Sequence, residues 1–148
     1  MSKPADVAFA TTLQIRDRCL CLHVQRAARM VARRFDDALR PLGLTNGQFS
    51  LLTSLNRAQP ASMGATAALL AMDRTTLTAA LKPLERGGLI DVRVDPADRR
   101  SRELTLTRAG RSLLATAVPI WKRTHAQVER LLTGADLELL RRDLRALS

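Results

Sequence analysis

The sequence predicts a mainly α-helical chain with one small β-hairpin wing, and three observations lead there. Leu and Ala dominate the apolar residues, while 148 residues hold only three Phe, one Trp and no Tyr, a composition that favours packed helices. Apolar residues recur at steps of three and four through most of the chain, the period of one helical face. Ile90, Val92 and Val94 alternate with Asp91, Arg93 and Asp95, and period two marks a half-buried strand. Helix, glycine stop, strand, basic turn and return strand follow one another from residue 73 to 107. That is the order of a winged helix-turn-helix, with one helix sized for the major groove and a hairpin reaching for the backbone beside it.

Residues 1–12 read as a loose leader. One helix is predicted from Ile15 to Leu39, with Leu20, Val24, Ala28, Val31, Phe35 and Leu39 on one face and Arg26, Arg29, Arg33, Arg34, Asp36 and Asp37 on the other. Pro41 and Gly43 end it. A second helix opens at Thr45, with Gln48 at capping-box spacing, and Gln59-Pro60 stops it. Ser62 caps a third, MGATAALLAM, and Asp73 a fourth that runs to Arg86 and closes at Gly87-Gly88. The first strand follows, then turn residues Asp95-Pro96-Ala97-Asp98, then a return strand with Leu104 and Leu106 inward. Thr107 caps a long fifth helix through Val128, and Gly134-Ala135-Asp136 separates it from a sixth with Leu137, Leu140, Leu144 and Leu147 on one side. Pro83 and Pro119 fall inside the fourth and fifth helices, where each removes a backbone donor and is expected to bend its helix.

The formal charge is +10, and 21 of the 24 basic residues are Arg. The planar guanidinium fork suits phosphate oxygens and guanine edges, so the balance points to a nucleic-acid partner. Residues 1–40 carry 8 basic and 4 acidic side chains, 41–107 carry 8 and 6, and 108–148 carry 8 and 4. Such a spread describes folded surface rather than a basic tail. The apolar run from Met63 to Met72 is far too short to span a bilayer, and MSKPADVAFATT lacks the features of a secretory signal. With two Cys and no bridging pattern, a cytoplasmic setting is expected.

A helix that enters the major groove needs short polar side chains at its front end, so that its backbone can approach the bases. Arg74, Thr75, Thr76 and Thr78 meet that need, and Lys82 one turn on can reach a phosphate, while Leu77, Leu81 and Leu84 hold the inner side. Ser62 and the amides behind it can donate to a backbone phosphate. The wing holds Arg93, Arg99, Arg100 and Arg102, suited to a narrow, strongly negative minor groove. Asp98 is expected to brace Arg100 by an ion pair. Leu131, Leu132, Leu137, Leu140 and Leu144 exceed what a winged lobe of this size covers, and a symmetric second copy is the commonest cover.

LGLTNGQFSLL, MDRTTLTAALKPLERGGLI and VDPADRRSRELTLTRAG together resemble the MarR family of bacterial winged-helix transcriptional regulators, from about Ile15 to the end. The third segment is the most specific, with D-x-R-S, alternating apolar residues, then L-T-x-x-G. The resemblance implies one domain in three parts: an N-terminal dimerisation helix in 1–44, a DNA-binding lobe in 45–107 and C-terminal dimerisation helices in 108–148. It implies a homodimer on a pseudo-palindromic double-stranded operator, with Arg100 in the minor groove and Arg74, Thr76, Thr78 and Lys82 at the major groove. It also implies repression relieved by a small anionic or phenolic ligand, or by oxidation. Some members sense organic hydroperoxides through a cysteine of the first helix, and counting back from Thr45–Gln48 matches it to Cys21. Those members hold the thiolate with tyrosine hydroxyls, and this chain has no Tyr.

Cys19 and Cys21, two apart on one helix, lie on nearly opposite sides and cannot bridge unless it unwinds. Cys19 and His23 share a face and, with His125, make three candidate metal ligands, too few without an acidic or further Cys partner. Trp121 and His125 share a face of the fifth helix and are candidates for an effector pocket. No nucleophile–base pair, phosphate-cradling glycine loop or carboxylate pair is present, so neither enzyme chemistry nor a cofactor is expected. The competing reading is an architectural protein that bends duplex DNA with little sequence preference.

Overall fold

The computed structural model describes residues 6–148. Helix α1 spans Phe9–Arg18 and α2 spans Leu20–Leu39, so the single helix expected from Ile15 is two. The chain breaks at Cys19, whose backbone is extended at φ −68° and ψ 107°. Both sides of the break are sealed. The Cys19 N–H donates to Ile15 O at 2.9 Å, and the Cys19 Sγ accepts from the Leu22 N–H at 3.5 Å. The sequence carried a trace of this, because Ile15 and Leu20 are five apart, out of step with the three-four pattern that resumes at Leu20. The expected leader is corrected too: it is helical from Phe9 onward, and residues 1–5 lie outside the described residues.

A 3-10 turn over Arg40–Leu42 leads to α3, Asn46–Ser54. The capping box forms as expected: Thr45 Oγ1 accepts from the Gln48 N–H at 3.2 Å, and Gln48 Oε1 accepts from the Thr45 N–H at 3.0 Å. Strand β1, Ala61–Ser62, precedes α4, Met63–Leu69. That helix stops short of Met72 because Ala71 takes a left-handed φ of 51°. Helix α5 spans Arg74–Arg86, β2 Ile90–Val94, β3 Arg102–Leu106, α6 Arg108–Glu129 and α7 Leu137–Ala146. Both α5 and α6 continue through their prolines.

The sheet order is β1-β3-β2, all antiparallel, with Val92 opposite Leu104 and Ala61 on the far side of the same Leu104. The third strand was not foreseen, since two residues are too few to show a period. Leu39, Leu51, Leu52, Leu55, Leu77, Leu84, Ile90 and Leu104 are fully buried and join α2, α3, α5 and the sheet into one core. Truncating any of them to Ala costs roughly 2–5 kcal/mol. Helix α6 packs along α2 and α3.

The root of the hairpin is tightly drawn. Thr107 N–H donates to Leu89 O at 3.1 Å and Thr107 Oγ1 to Gly88 O at 2.7 Å. Gly88 itself needs glycine's freedom at φ +70°. Outside the core, apolar residues of α1, α2, α7 and the segment before α7 stay open in the single chain: Ile15, Leu20, Val24, Leu131, Leu140 and Leu144 are all exposed. Among the described residues no helix is long and apolar enough to cross a membrane.

Candidate nucleic-acid interface

Asp73 starts α5. Its Oδ1 accepts from the Thr76 N–H at 2.7 Å and its Oδ2 from the Thr76 hydroxyl at 2.9 Å. The backbone bond first, then the hydroxyl, holds the Asp73 carboxyl below the usual carboxylate range. A depressed pKa means the cap stabilises above the unfolded-state value and is lost as pH falls through the folded one. Thr78 Oγ1 donates to Arg74 O at 2.7 Å. Both threonine protons are therefore spent within the helix, and both hydroxyls face outward as acceptors, matched to adenine N6 or cytosine N4 donors.

Arg74, Thr75, Thr76, Thr78 and Lys82 are all exposed, and Leu77, Leu81 and Leu84 are buried beneath them. Ser62 is exposed at the head of α4, where its Oγ accepts from the Ala65 N–H at 3.1 Å. That bond leaves its own proton free to donate.

The turn after β2 is built from aspartates. Ala97 N–H donates to Asp95 Oδ1 at 2.8 Å, Arg100 N–H to Asp98 Oδ1 at 3.0 Å, and Asp95 N–H to Ser101 O at 3.1 Å. This corrects the expected Asp98–Arg100 ion pair: Asp98 holds the Arg100 backbone, because the amide two residues on is nearer its short side chain. The four wing arginines then divide. Arg93 pairs with Asp91 at 3.4 Å, and Arg102 Nη1 folds back on the carbonyls of Ser101 and Arg99 at 3.2 and 3.4 Å. Among the described residues the Arg99 and Arg100 side chains have no partner and point their charge to solvent.

A helix with an acceptor-bearing front end, beside a rigid turn with two free guanidiniums, is the geometry of a DNA-reading lobe. The model of the MarR family matches residues 44–101. The DNA-bound transcriptional regulator MosR of M. tuberculosis is 38% identical, superposes with a TM-score of 0.77, and the match covers 88% of this chain and 93% of MosR. This chain belongs to the MarR family. CouR, a transcriptional repressor solved on a 23-mer duplex, is 28% identical at TM-score 0.76, with 97% of this chain and 98% of CouR covered. BadR, a transcriptional activatory protein of Rhodopseudomonas palustris, is 33% identical over 109 residues, 72% of this chain. The match spans 62% of BadR's own length.

Two further sets of residues in this MarR-family chain were singled out from the sequence. Trp121 lines an open cavity of about 870 Å³ between α3, α4 and α6, with Phe49, Thr53, Arg57, Leu69 and Val118 among its walls. His125 does not line it. It stacks on Trp121 at 4.8 Å between ring centroids, and its Nδ1 lies 3.6 Å from Glu129 Oε1. Glu129 in turn pairs with Arg141 of α7, so the aromatic wall is tied to the C-terminal helix. Phe49 stacks on Trp121 from α3 at 6.4 Å. Neither Phe49 nor Arg57 carried a sequence signal for this role, because they reach the cavity from a different helix and a loop.

Cys21 is exposed, and Gln25 Nε2 donates to its Sγ at 3.0 Å. Cys19 is not on the helix with it, so the opposite-face argument against a bridge does not apply to this backbone. His23 Nδ1 lies 2.8 Å from the Cys19 carbonyl. Among the described residues Cys19, His23 and His125 do not gather as a metal-ligand set.

Proposed function

We propose that the protein is a homodimeric, sequence-specific, double-stranded-DNA-binding transcriptional regulator that represses from a pseudo-palindromic operator, in the cytoplasm and without catalysis. The observation that carries this is the front of α5, where solvent-facing threonine acceptors sit directly over a fully buried leucine row. In this reading Arg74, Thr75, Thr76 and Thr78 meet the major groove, Lys82 and Ser62 meet phosphates, and Arg93, Arg99, Arg100 and Arg102 serve the wing, with Arg100 in the minor groove. Residues 45–107 form the DNA-binding lobe. Residues 1–44 and 108–148 form the dimer, in which the open apolar faces of α1, α2 and α7 cover one another across a two-fold axis. Repression follows CouR, whose match spans nearly the whole of both chains.

Selection of bound duplexes from a random pool tests the reading. Two recognition helices on a symmetric dimer yield two-fold-related half-sites about 10 base pairs apart, preferred over random duplex by on the order of a thousandfold or more. An architectural protein gives no symmetric consensus and little preference. Thr78→Ala is expected to relax base choice at one position per half-site, at about 1–3 kcal/mol. A uniform loss on every sequence would move Thr78 out of base contact.

The inducer is a small anionic or phenolic ligand held in the Trp121 cavity, whose aromatic wall and Arg57 suit an aromatic acid. A second reading, release by oxidation, is favoured by the exposure of Cys21 and its Gln25 donor, which takes the place of the missing tyrosines. Cumene hydroperoxide is then expected to release operator from wild type and not from Cys21→Ser, read by fluorescence anisotropy. Equal release from both proteins removes this route.

A further inference from the structure

A second cavity, of about 460 Å³, lies at the root of the wing. One wall is the loop after α3, with Arg57 and Pro60. The floor is the polar side of β2 and β3, with Asp91, Arg93 and Thr105. The third wall is the first turn of α6, with Arg108 and Arg111. Four arginines and one aspartate thus line the same hollow. Arg93 engages that carboxylate at 3.4 Å. Among the described residues Arg57, Arg108 and Arg111 form no ion pair. Like charges converge on a concave site only at a cost in mutual repulsion, which a bound anion removes.

The three walls are also held fixed. Arg108 and Arg111 lie one turn apart on one helical face, and that helix is clamped to the sheet by Thr107, through Leu89 O and Gly88 O. A Cβ added to Gly110 would lie 2.0 Å from Leu89 O, so the helix and the strand entry are as close as backbones come. The loop is anchored by a bond from Arg57 N–H to Leu55 O at 2.9 Å and by the pairing of Ala61 with Leu104. The arginines therefore emerge from pre-positioned backbone, which lowers the ordering cost of binding.

We propose that this cavity is an anion site for a small phosphorylated molecule, held by guanidinium forks from three segments. No aromatic residue lines it, so it takes a compact polyanion rather than a planar aromatic acid. It shares Arg93 with the DNA-contacting set and Arg57 with the Trp121 cavity, but includes no residue of α5 or of the 95–101 turn. The site stands apart from the operator reading, because it is tested on DNA-free protein.

The experiment is calorimetric titration of the full-length chain with inorganic pyrophosphate at low salt, with chemical-shift mapping of the wild type alongside. Saturable binding of one pyrophosphate per chain is expected, with shifts centred on residues 57–60, 91–93 and 105–111. Arg57→Ala and Arg111→Ala should each weaken binding about tenfold or more, the value of a charge-assisted bond. Arg86→Ala removes the same charge from the same lobe outside the cavity and should leave binding unchanged. Absence of saturation, equal weakening by Arg86→Ala, or shifts centred on α5 and residues 96–101 would each overturn the site. The last outcome would mean that pyrophosphate only imitates the DNA backbone.

Discussion

Gly110→Ala is expected to destabilise the fold by on the order of 3 kcal/mol, the upper part of the usual cost of inserting a methyl into a filled space. The new Cβ would lie 2.0 Å from Leu89 O, 3.0 Å from Leu89 C and 3.3 Å from Leu106 Cδ2. Two of those atoms are backbone, so no rotamer change relieves the clash. Moving the Leu89 carbonyl also disturbs the 3.1 Å bond it accepts from Thr107 N–H, which joins the end of the wing to α6. Helix propensity alone argues the other way, since Ala is favoured over Gly by about 1 kcal/mol inside a helix. The sign of the change therefore decides between the two effects. Urea unfolding should show a lower midpoint, and a midpoint at or above wild type would refute the close approach.

Arg100→Ala is expected to weaken operator binding by about 1–3 kcal/mol, the range of a groove-inserted arginine, and to lower the slope of log affinity against log salt by about 0.9 for one lost phosphate-like contact. The aspartate-built turn supports this. The Arg100 amide is fixed by Asp98 Oδ1 at 3.0 Å, and Ser101 N–H closes on Asp98 O at 2.9 Å. The backbone is thus held while the side chain stays free, the arrangement that costs least entropy on insertion. Arg102→Ala provides the contrast. Its guanidinium already bonds carbonyls of its own turn, so it should change the salt slope less. Affinities measured across a salt series with both variants check this, and an unchanged slope for Arg100→Ala would take the wing out of the interface.

Much of this was legible in the sequence, for physical reasons that differ from element to element. The front of α5 could be read because a cap, a polar face and a leucine row are all local, set by 3.6-residue geometry. The wing could be read because alternation and Asp-Pro turn chemistry are local as well. The Cys19 break was missed because a thiol and a carbonyl took over capping work that helical periodicity does not encode. Strand β1 was missed because its two residues exist as a strand only through β3. The Asp98–Arg100 ion pair was inferred from charge, whereas side-chain reach decided in favour of the backbone amide.

Periodicity, caps and charge order along the chain were enough to establish the helices from Asn46 onward, the hairpin, the arginine-bearing turn and the residues that face outward from α5. The tertiary structure alone decided that Gly110 must be bare, that His125 stands behind Trp121 rather than in its cavity, and that Arg57, Arg93, Arg108 and Arg111 meet around one hollow. Each of these depends on the approach of segments far apart in sequence, and local spacing holds no record of such distances.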